Sequence, residues 1–261
     1  MDKLIIILIY FVLFFLGASL GSFSLVIVRR GHNNDWKSWL TGQSCCESCK
    51  KTLVWWELIP TISFLALRGK CSKCKSKIDP SHFLCETFVG IVFVALFAMY
   101  QFQMLSLEKL VFLMLTNLFL IALSASDFLY REINSIIVYI LGLIGCVYQA
   151  VFCQNYLVIP IVIVLFVVIG YLCASDNFVL FGSGDLDVII AIGALLGGIF
   201  GVIDVIMYAA LAGIVMYLTL YRKTDKAIPF VPCLYFGYFL SEMNISVTEL
   251  LFSLCQKMFE L

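Results

Sequence analysis

Charge-free apolar windows recur along the chain at residues 4–28, 87–107, 110–126, 133–175, 188–203, 205–221 and 227–241. Each reaches or approaches the roughly 20 residues that a helix needs to cross a bilayer, while the alternation expected of a half-buried strand is missing. The window from 133 to 175 is twice that length and must fold back once. Its break is expected at Cys153-Gln154-Asn155, which divides it into two spans and brings the total to eight. The last window is interrupted by Pro229 and Pro232, and the tail from Ser241 can lie on the membrane surface. The fold expected is therefore an all-α polytopic membrane protein of about eight transmembrane helices.

Composition sharpens this reading. Of 261 residues, 62% are apolar and only 13% charged, about half the charge of an ordinary soluble domain, so a water-soluble fold is excluded. The same apolar excess excludes intrinsic disorder. Seventeen basic and seventeen acidic residues cancel, which leaves no electrostatic footprint for nucleic acid.

The distribution of the basic residues sets an orientation, because cytoplasmic loops carry the Lys/Arg excess. With the N-terminus outside, fourteen fall inside: Arg29, Arg30, Lys37, Lys50, Lys51, Arg68, Lys70, Lys73, Lys75, Lys77, Arg131, Arg222, Lys223 and Lys226. Only Lys3, Lys109 and Lys257 remain outside. The first window is too long for a cleavable signal peptide and ends at Arg29-Arg30, which marks it as a retained anchor. Three regions follow: a first transmembrane helix at 1–28, a cytoplasmic insertion at 29–82, and a helical bundle at 83–261.

The insertion holds five of the eleven cysteines. Cys46-Glu47-Ser48-Cys49 and Cys71-Ser72-Lys73-Cys74 form two CxxC units with twenty-one residues between them, close to the spacing of zinc ribbons. A disulfide is disfavoured on the reducing side of the membrane, and a redox CxxC does not come as a matched pair. The four thiolates are thus expected to hold structural zinc, with Cys45 a possible competitor. Cys85, Cys146, Cys153, Cys173, Cys233 and Cys255 show no ligand spacing and read as small hydrophobes.

Acidic residues in or beside spans are costly and each needs a reason. Asp204, in the short Gly201-Val202-Ile203-Asp204 segment, reads as a solvated turn residue at the outer interface. Asp127 and Asp185 fall at the cytoplasmic ends of their spans. A solvated helix-end carboxylate near Arg131 is the plain alternative for Asp127. Asp185 follows Gly182 and Gly184, which allow close backbone approach, and four-residue steps through Ile189, Gly193, Gly197 and Gly201 put it on a helix-packing face. Asp187, two residues along, points nearly opposite. Two carboxylates on one side of a membrane can share a proton and activate water for peptide hydrolysis.

With these residues in view, the sequence resembles the type IV prepilin peptidases, also called prepilin leader peptidases and N-methyltransferases. Gly17-Ala18-Ser19-Leu20-Gly21-Ser22-Phe23 and Val26-Ile27-Val28-Arg29-Arg30 look like the family's first helix. Cys46 to Cys74, with Trp56-Glu57-Leu58-Ile59-Pro60 and Gly69-Lys70-Cys71 between the knuckles and Glu86 after them, look like its cytoplasmic zinc domain. Asp127 and Asp185 match its two catalytic aspartates, the second within a GxGD element shared with presenilin-like intramembrane proteases. Two positions depart from the pattern: Asn134 follows Ile133 where the family commonly has proline, and Asp187 stands where it commonly has lysine.

The resemblance implies an aspartic endopeptidase of the bacterial inner or cytoplasmic membrane. It would remove the basic leader of type IV prepilins, or of competence or secretion pseudopilins, at a Gly-Phe bond on the cytoplasmic face. N-methylation of the new terminus from S-adenosylmethionine would follow. No residue is assigned to that cofactor, since Gly182-Ser183-Gly184 lacks the strand-turn-helix setting of a nucleotide fingerprint. Two other readings stand beside the enzyme: a small transporter using Asp127 and Asp185 as ion sites, which leaves the cysteines unexplained, and an inactive assembly subunit of a secretion system.

Overall fold

The computed structural model describes residues 3–32, 42–174, 183–222 and 228–243. Its chain divides into two compact units, Met1–Ala122 and Leu123–Leu261. Among the described residues the secondary structure is helical, apart from two isolated bridges, Cys45 with Thr52 and Lys70 with Lys77. The helices are α1 (Lys3–His32), α2 (Ile62–Ala66), α3 (Pro80–Gln101), α4 (Leu107–Tyr130), α5 (Ser135–Val151), α6 (Val158–Ala174), α7 (Ser183–Leu196), α8 (Ile199–Met216) and α9 (Val231–Glu242).

Among the described residues four stretches are long and apolar enough to cross a membrane: Lys3–His32, Pro80–Gln101, Leu107–Tyr130 and Ile199–Tyr221, the last being α8 continued by a π-helical turn. Leu4, Leu8 and Phe11 of α1 and Ile161, Val164 and Val167 of α6 are all more than half exposed. Such continuous apolar surface belongs in lipid, not water. The fourteen residues of α7 rise about 21 Å, short of a ~30 Å hydrocarbon core.

In the first unit, α1 and α3 pack through glycine. A Cβ on Gly17 would lie 2.9 Å from the Val89 carbonyl oxygen, and one on Gly21 would lie 3.0 Å from that of Cys85. The four-residue spacing of these glycines strips one stripe of α1 so that the two backbones can approach. Helix α3 starts where its sequence dictates: Asp79 caps it by accepting from the Ser81 N–H at 2.9 Å, and Pro80 takes the first helical position. Arg29 ties the end of α1 to that start, donating to Asp79, to Ser81 Oγ at 2.8 Å and to Glu47 at 2.7 Å.

In the second unit, α5 and α7 approach through Gly145, where a Cβ would meet the Ala194 carbonyl carbon at 2.7 Å. Helix α6 closes a core against them with Val158, Val162, Cys146, Ile190 and Ala194. The fold-back falls where the sequence places it, between Val151 and Val158, with Gln154 in the left-handed region at φ 55°.

Two expectations are corrected. The apolar window 188–203 is not one helix: α7 ends at Leu196 and Gly197 turns at φ 69°. Gly197 and Gly201 therefore do not share a helix face with Asp185 and Gly193. The break is invisible to hydropathy because its partners are distant, Gln149 Nε2 donating to the Leu195 carbonyl at 2.8 Å and Asn155 Nδ2 to that of Gly197 at 3.0 Å. Asp204 is likewise not a solvated turn residue: it lies inside α8 and is only 4% exposed.

Candidate active site and metal centre

The two CxxC units fold as a matched pair of tight turns. In the first, the Cys46 N–H donates to the Lys51 carbonyl and the Lys50 N–H to that of Cys46, both at 2.9 Å. In the second, the Cys71 N–H donates to Ser76 at 2.9 Å and the Lys75 N–H to Cys71 at 3.1 Å. Lys50 and Lys75, each directly after the second cysteine of its unit, take the left-handed conformation at φ 55° and 61°. That reversal turns both thiols of a unit to one side.

Four sulfurs converge as a result. The ligand atoms of Cys46, Cys49, Cys71 and Cys74 all lie within 4.8 Å of one another, with Cys46 to Cys74 at 3.8 Å and Cys49 to Cys71 at 4.0 Å. A tetrahedral zinc with ~2.3 Å bonds sets its sulfurs roughly 3.8 Å apart, so the cluster could hold that ion. Backbone N–H groups of Cys49 and Ser48 donate to Cys46 and lower its thiol to about 6, favouring the thiolate that a metal needs. Cys45, exposed, is not part of the cluster.

A buried carboxylate joins the two turns. Glu57, in a 3₁₀ turn at Trp55–Leu58, accepts from Lys51 Nζ at 2.9 Å on both oxygens, from Ser72 Oγ at 2.5 Å and from the Val54 N–H at 3.0 Å. These donors, the Lys51 ammonium first, hold its carboxyl down at about 2. Glu86 makes a second link, accepting from the Thr61 N–H at 2.7 Å and from the Ser22 side chain of α1. Both glutamates line a cavity of about 370 Å³ together with Arg29, Asp79 and His82.

The two aspartates lie together in the second unit. Asp127 sits in the last turn of α4, a position where the helix dipole disfavours an anion. The cost is offset by another helix: the Val231 N–H, at the start of α9, donates to Asp127 Oδ2 at 3.0 Å, and the Phe230 N–H also reaches the carboxylate. At 7% exposure Asp127 is not a solvated helix end; Arg131, within electrostatic reach of it, donates to Tyr221 Oη at 3.1 Å. Asp185 occupies the first turn of α7, within electrostatic reach of Asp127. Two helix N-termini thus face one pair of carboxylates.

The chain between α4 and α5 makes the approach possible. Arg131 at φ 59° ends α4, its N–H donating to the Asp127 carbonyl at 3.0 Å, and Ser126 Oγ donates to the Glu132 carbonyl at 2.7 Å. Ile133 then packs on the start of α7, where a Cβ on Gly184 would lie 2.8 Å from its Cδ1. Gly182 lies outside the described residues. Asn134 caps α5, accepting from the Ile136 N–H at 3.0 Å. Ser124 Oγ, one turn before Asp127, is buried with no hydrogen-bond partner among the described residues.

The α9 anchor on Asp127 was not readable from sequence, since Asp127 and Val231 are 104 residues apart and nothing in Pro229-Phe230-Val231-Pro232 announces a partner. No residue set for S-adenosylmethionine emerges among the described residues.

Residues 15–100 match the family described as Bacterial Peptidase A24 N-terminal domain, a region that includes the four cysteines and ends before either aspartate. The chain is 28% identical over 214 residues to a prepilin leader peptidase/N-methyltransferase of Neisseria gonorrhoeae, which covers 78% of this chain and 72% of the relative. A protein of the same name from Vibrio cholerae is 28% identical over 213 residues, 72% of this chain and 78% of its own. One from Legionella pneumophila is 29% identical over 204 residues, 74% of this chain and 69% of its own. No solved structure matches.

Proposed function

We propose that this chain, which resembles the prepilin leader peptidase/N-methyltransferases over most of its length, is a membrane aspartic endopeptidase that removes prepilin or pseudopilin leaders at a Gly-Phe bond. The observation that carries the mechanism is the pairing of Asp127 with Asp185 at helix ends, with Asp127 buried and held by the α9 amides. Two carboxylates within electrostatic reach of each other can share one proton. The ionised member takes a proton from water as the water oxygen attacks the scissile carbonyl carbon, and the protonated member donates to the carbonyl oxygen. Collapse of the tetrahedral intermediate breaks the C–N bond, the departing amine takes a proton, and the pair is left sharing one again.

Zinc would be held by Cys46, Cys49, Cys71 and Cys74 and would take no part in this chemistry, because four thiolates leave no open coordination position. It would supply a cross-link that helps a short insertion to fold. Methyl transfer rests on the name of the relatives alone. The basic count supports an orientation with the N-terminus outside and the insertion and aspartates at the cytoplasmic face of a bacterial inner or cytoplasmic membrane.

The test is cleavage of a synthetic prepilin peptide by the purified protein in detergent. One new N-terminus at Phe is expected from the wild type and none from Asp185→Asn. Cleavage by a correctly inserted Asp185→Asn protein would falsify the dyad. Mass spectrometry of the product with S-adenosylmethionine present decides the methyl transfer.

A further inference from the structure

The zinc-binding insertion carries apolar surface that its own fold does not use. Trp55 is 76% exposed and Leu65 63%, and Trp56, Leu58 and Ile62 are each at least 40% exposed. All lie within a dozen residues, on the 3₁₀ turn and α2. In a solvated domain such a cluster is a liability.

Two contacts fix the depth of this segment. Thr61, between the 3₁₀ turn and α2, is buried and bonded to Glu86, in the second turn of α3, and the same carboxylate is met by Ser22 of α1. Ser22 lies ten residues before the end of α1 at His32, roughly 15 Å down the helix axis. The segment therefore runs beside the helices at the level where their apolar windows begin, not at the tips that rise above them. In the second contact, Phe64 of α2 stacks on Phe83 of α3 with ring centroids 4.9 Å apart. The next residue of α3, Leu84, is 62% exposed, and Phe88 and Ile91 continue its exposed apolar side. The exposed apolar side of α3 thus begins one residue from its contact with the insertion. Arg68, Lys70 and Lys73 follow α2 directly and suit the anionic headgroups above an apolar patch.

We propose that Trp55–Ala66 is an interfacial anchor. With α1 and α3 read as membrane spans, the turn and α2 lie in the boundary between headgroups and acyl chains, Trp55 and Trp56 at headgroup level and Leu58, Ile62 and Leu65 beneath them. The zinc-binding turns are then docked on the bilayer surface by lipid contact as well as by their covalent connections to the two helices.

Tryptophan quenching reads this directly. The chain has four tryptophans, and replacing Trp36 and Trp39 with Phe leaves only Trp55 and Trp56 as reporters. The full-length variant is reconstituted in liposomes of phosphatidylcholine with phosphatidylglycerol, unbrominated or carrying bromines shallow or deep on the acyl chains. An indole seated ~5–10 Å into the boundary is expected to lose about half its emission with shallow bromines and clearly less with deep ones. It should also resist aqueous iodide. Free quenching by iodide with no bromine effect would overturn the anchor, and so would shielding from both quenchers, which would mean that protein covers the patch. If the double replacement fails to fold, Trp55→Phe with the other tryptophans retained supplies the readout: the shallow-bromine quenching of the wild type must fall in that variant, and unchanged quenching counts against the anchor. Peptide cleavage takes no part in the readout, so failure of the anchor and failure of the peptidase reading are separable.

Discussion

On the proposed mechanism Asp127 has two tasks, catalysis and the anchoring of α9, which most substitutions would remove together, and the structure indicates how to separate them. Its Oδ2 takes the buried Val231 N–H at 3.0 Å, so Asp127→Ala deletes the acceptor that starts α9. A buried N–H left without a partner costs about 1–3 kcal/mol. At roughly 2–4 °C per kcal/mol for a chain of this size, Asp127→Ala should lower the melting temperature by about 2–12 °C. Asp127→Asn retains a side-chain oxygen in the same place and should melt within about 2 °C of the wild type, since a neutral acceptor can still serve the Val231 N–H. Neither variant can carry the shared proton, so both should lose at least about 10²–10⁴-fold in peptide cleavage. The measurements are thermal unfolding in detergent by intrinsic fluorescence and cleavage of a synthetic prepilin peptide by mass spectrometry. An Asp127→Asn protein that cleaves within about tenfold of the wild type would refute the catalytic role. One that melts as low as Asp127→Ala would refute the separation, because the charge rather than the acceptor would then hold α9.

Changing Cys46 and Cys71 together to Ser should abolish the binding of about one zinc per chain and with it the fold of the insertion; full metal occupancy by elemental analysis would exclude these ligands. Glu57→Gln should lower stability at neutral pH by about 1–3 kcal/mol, because Lys51 and Ser72 lose a charged acceptor. The folded carboxyl sits at about 2, below its unfolded value near 4.3, so its contribution is complete above that value and fades as pH falls toward 2. The gap between wild type and Glu57→Gln should accordingly close across that window, and a gap that widens on acidification contradicts the assignment. Gly184→Ala should impair cleavage by pushing on Ile133, and Ile133→Val should restore part of it by making room; the absence of any rescue in the double variant would place the effect elsewhere.

What was legible in the sequence was local. Two CxxC units and the polar break at Cys153-Asn155 each act over a few residues, and the structure has a metal-ready cluster and a chain reversal at those places. What was not legible depends on partners far away. The end of α7 is set by Gln149 and Asn155 reaching carbonyls more than forty residues distant, so an unbroken apolar window concealed it. Asp204 looked like a turn residue only because the helix boundary beside it was misplaced. For Asp127 a solvated helix end stayed open as an alternative because nothing near it in sequence shows that α9 begins on it. Lipid-facing helices make this worse, since uniform hydrophobicity erases the periodicity that marks a buried face in a soluble protein.

Asn134 is the departure from the family pattern whose consequence can be worked out. It stands at φ −80°, within the range a proline ring imposes, and its own N–H makes no hydrogen bond among the described residues, so Asn134→Pro removes no backbone bond. The variant does lose the side-chain bond to the Ile136 N–H at 3.0 Å, a capping contribution of about 1 kcal/mol. Against that, proline restricts the unfolded chain and returns about 0.4–1 kcal/mol where its geometry is already met. The two effects nearly cancel. Asn134→Pro should therefore melt within a few degrees of the wild type and cleave the prepilin peptide at a comparable rate, because either residue starts α5 and leaves Ile133 against Gly184. Asn134→Ala, with neither the cap nor the ring, should be the less stable of the two. A proline variant that loses cleavage while keeping its melting temperature would mean that the Asn134 side chain meets the substrate, a role that capping α5 does not require.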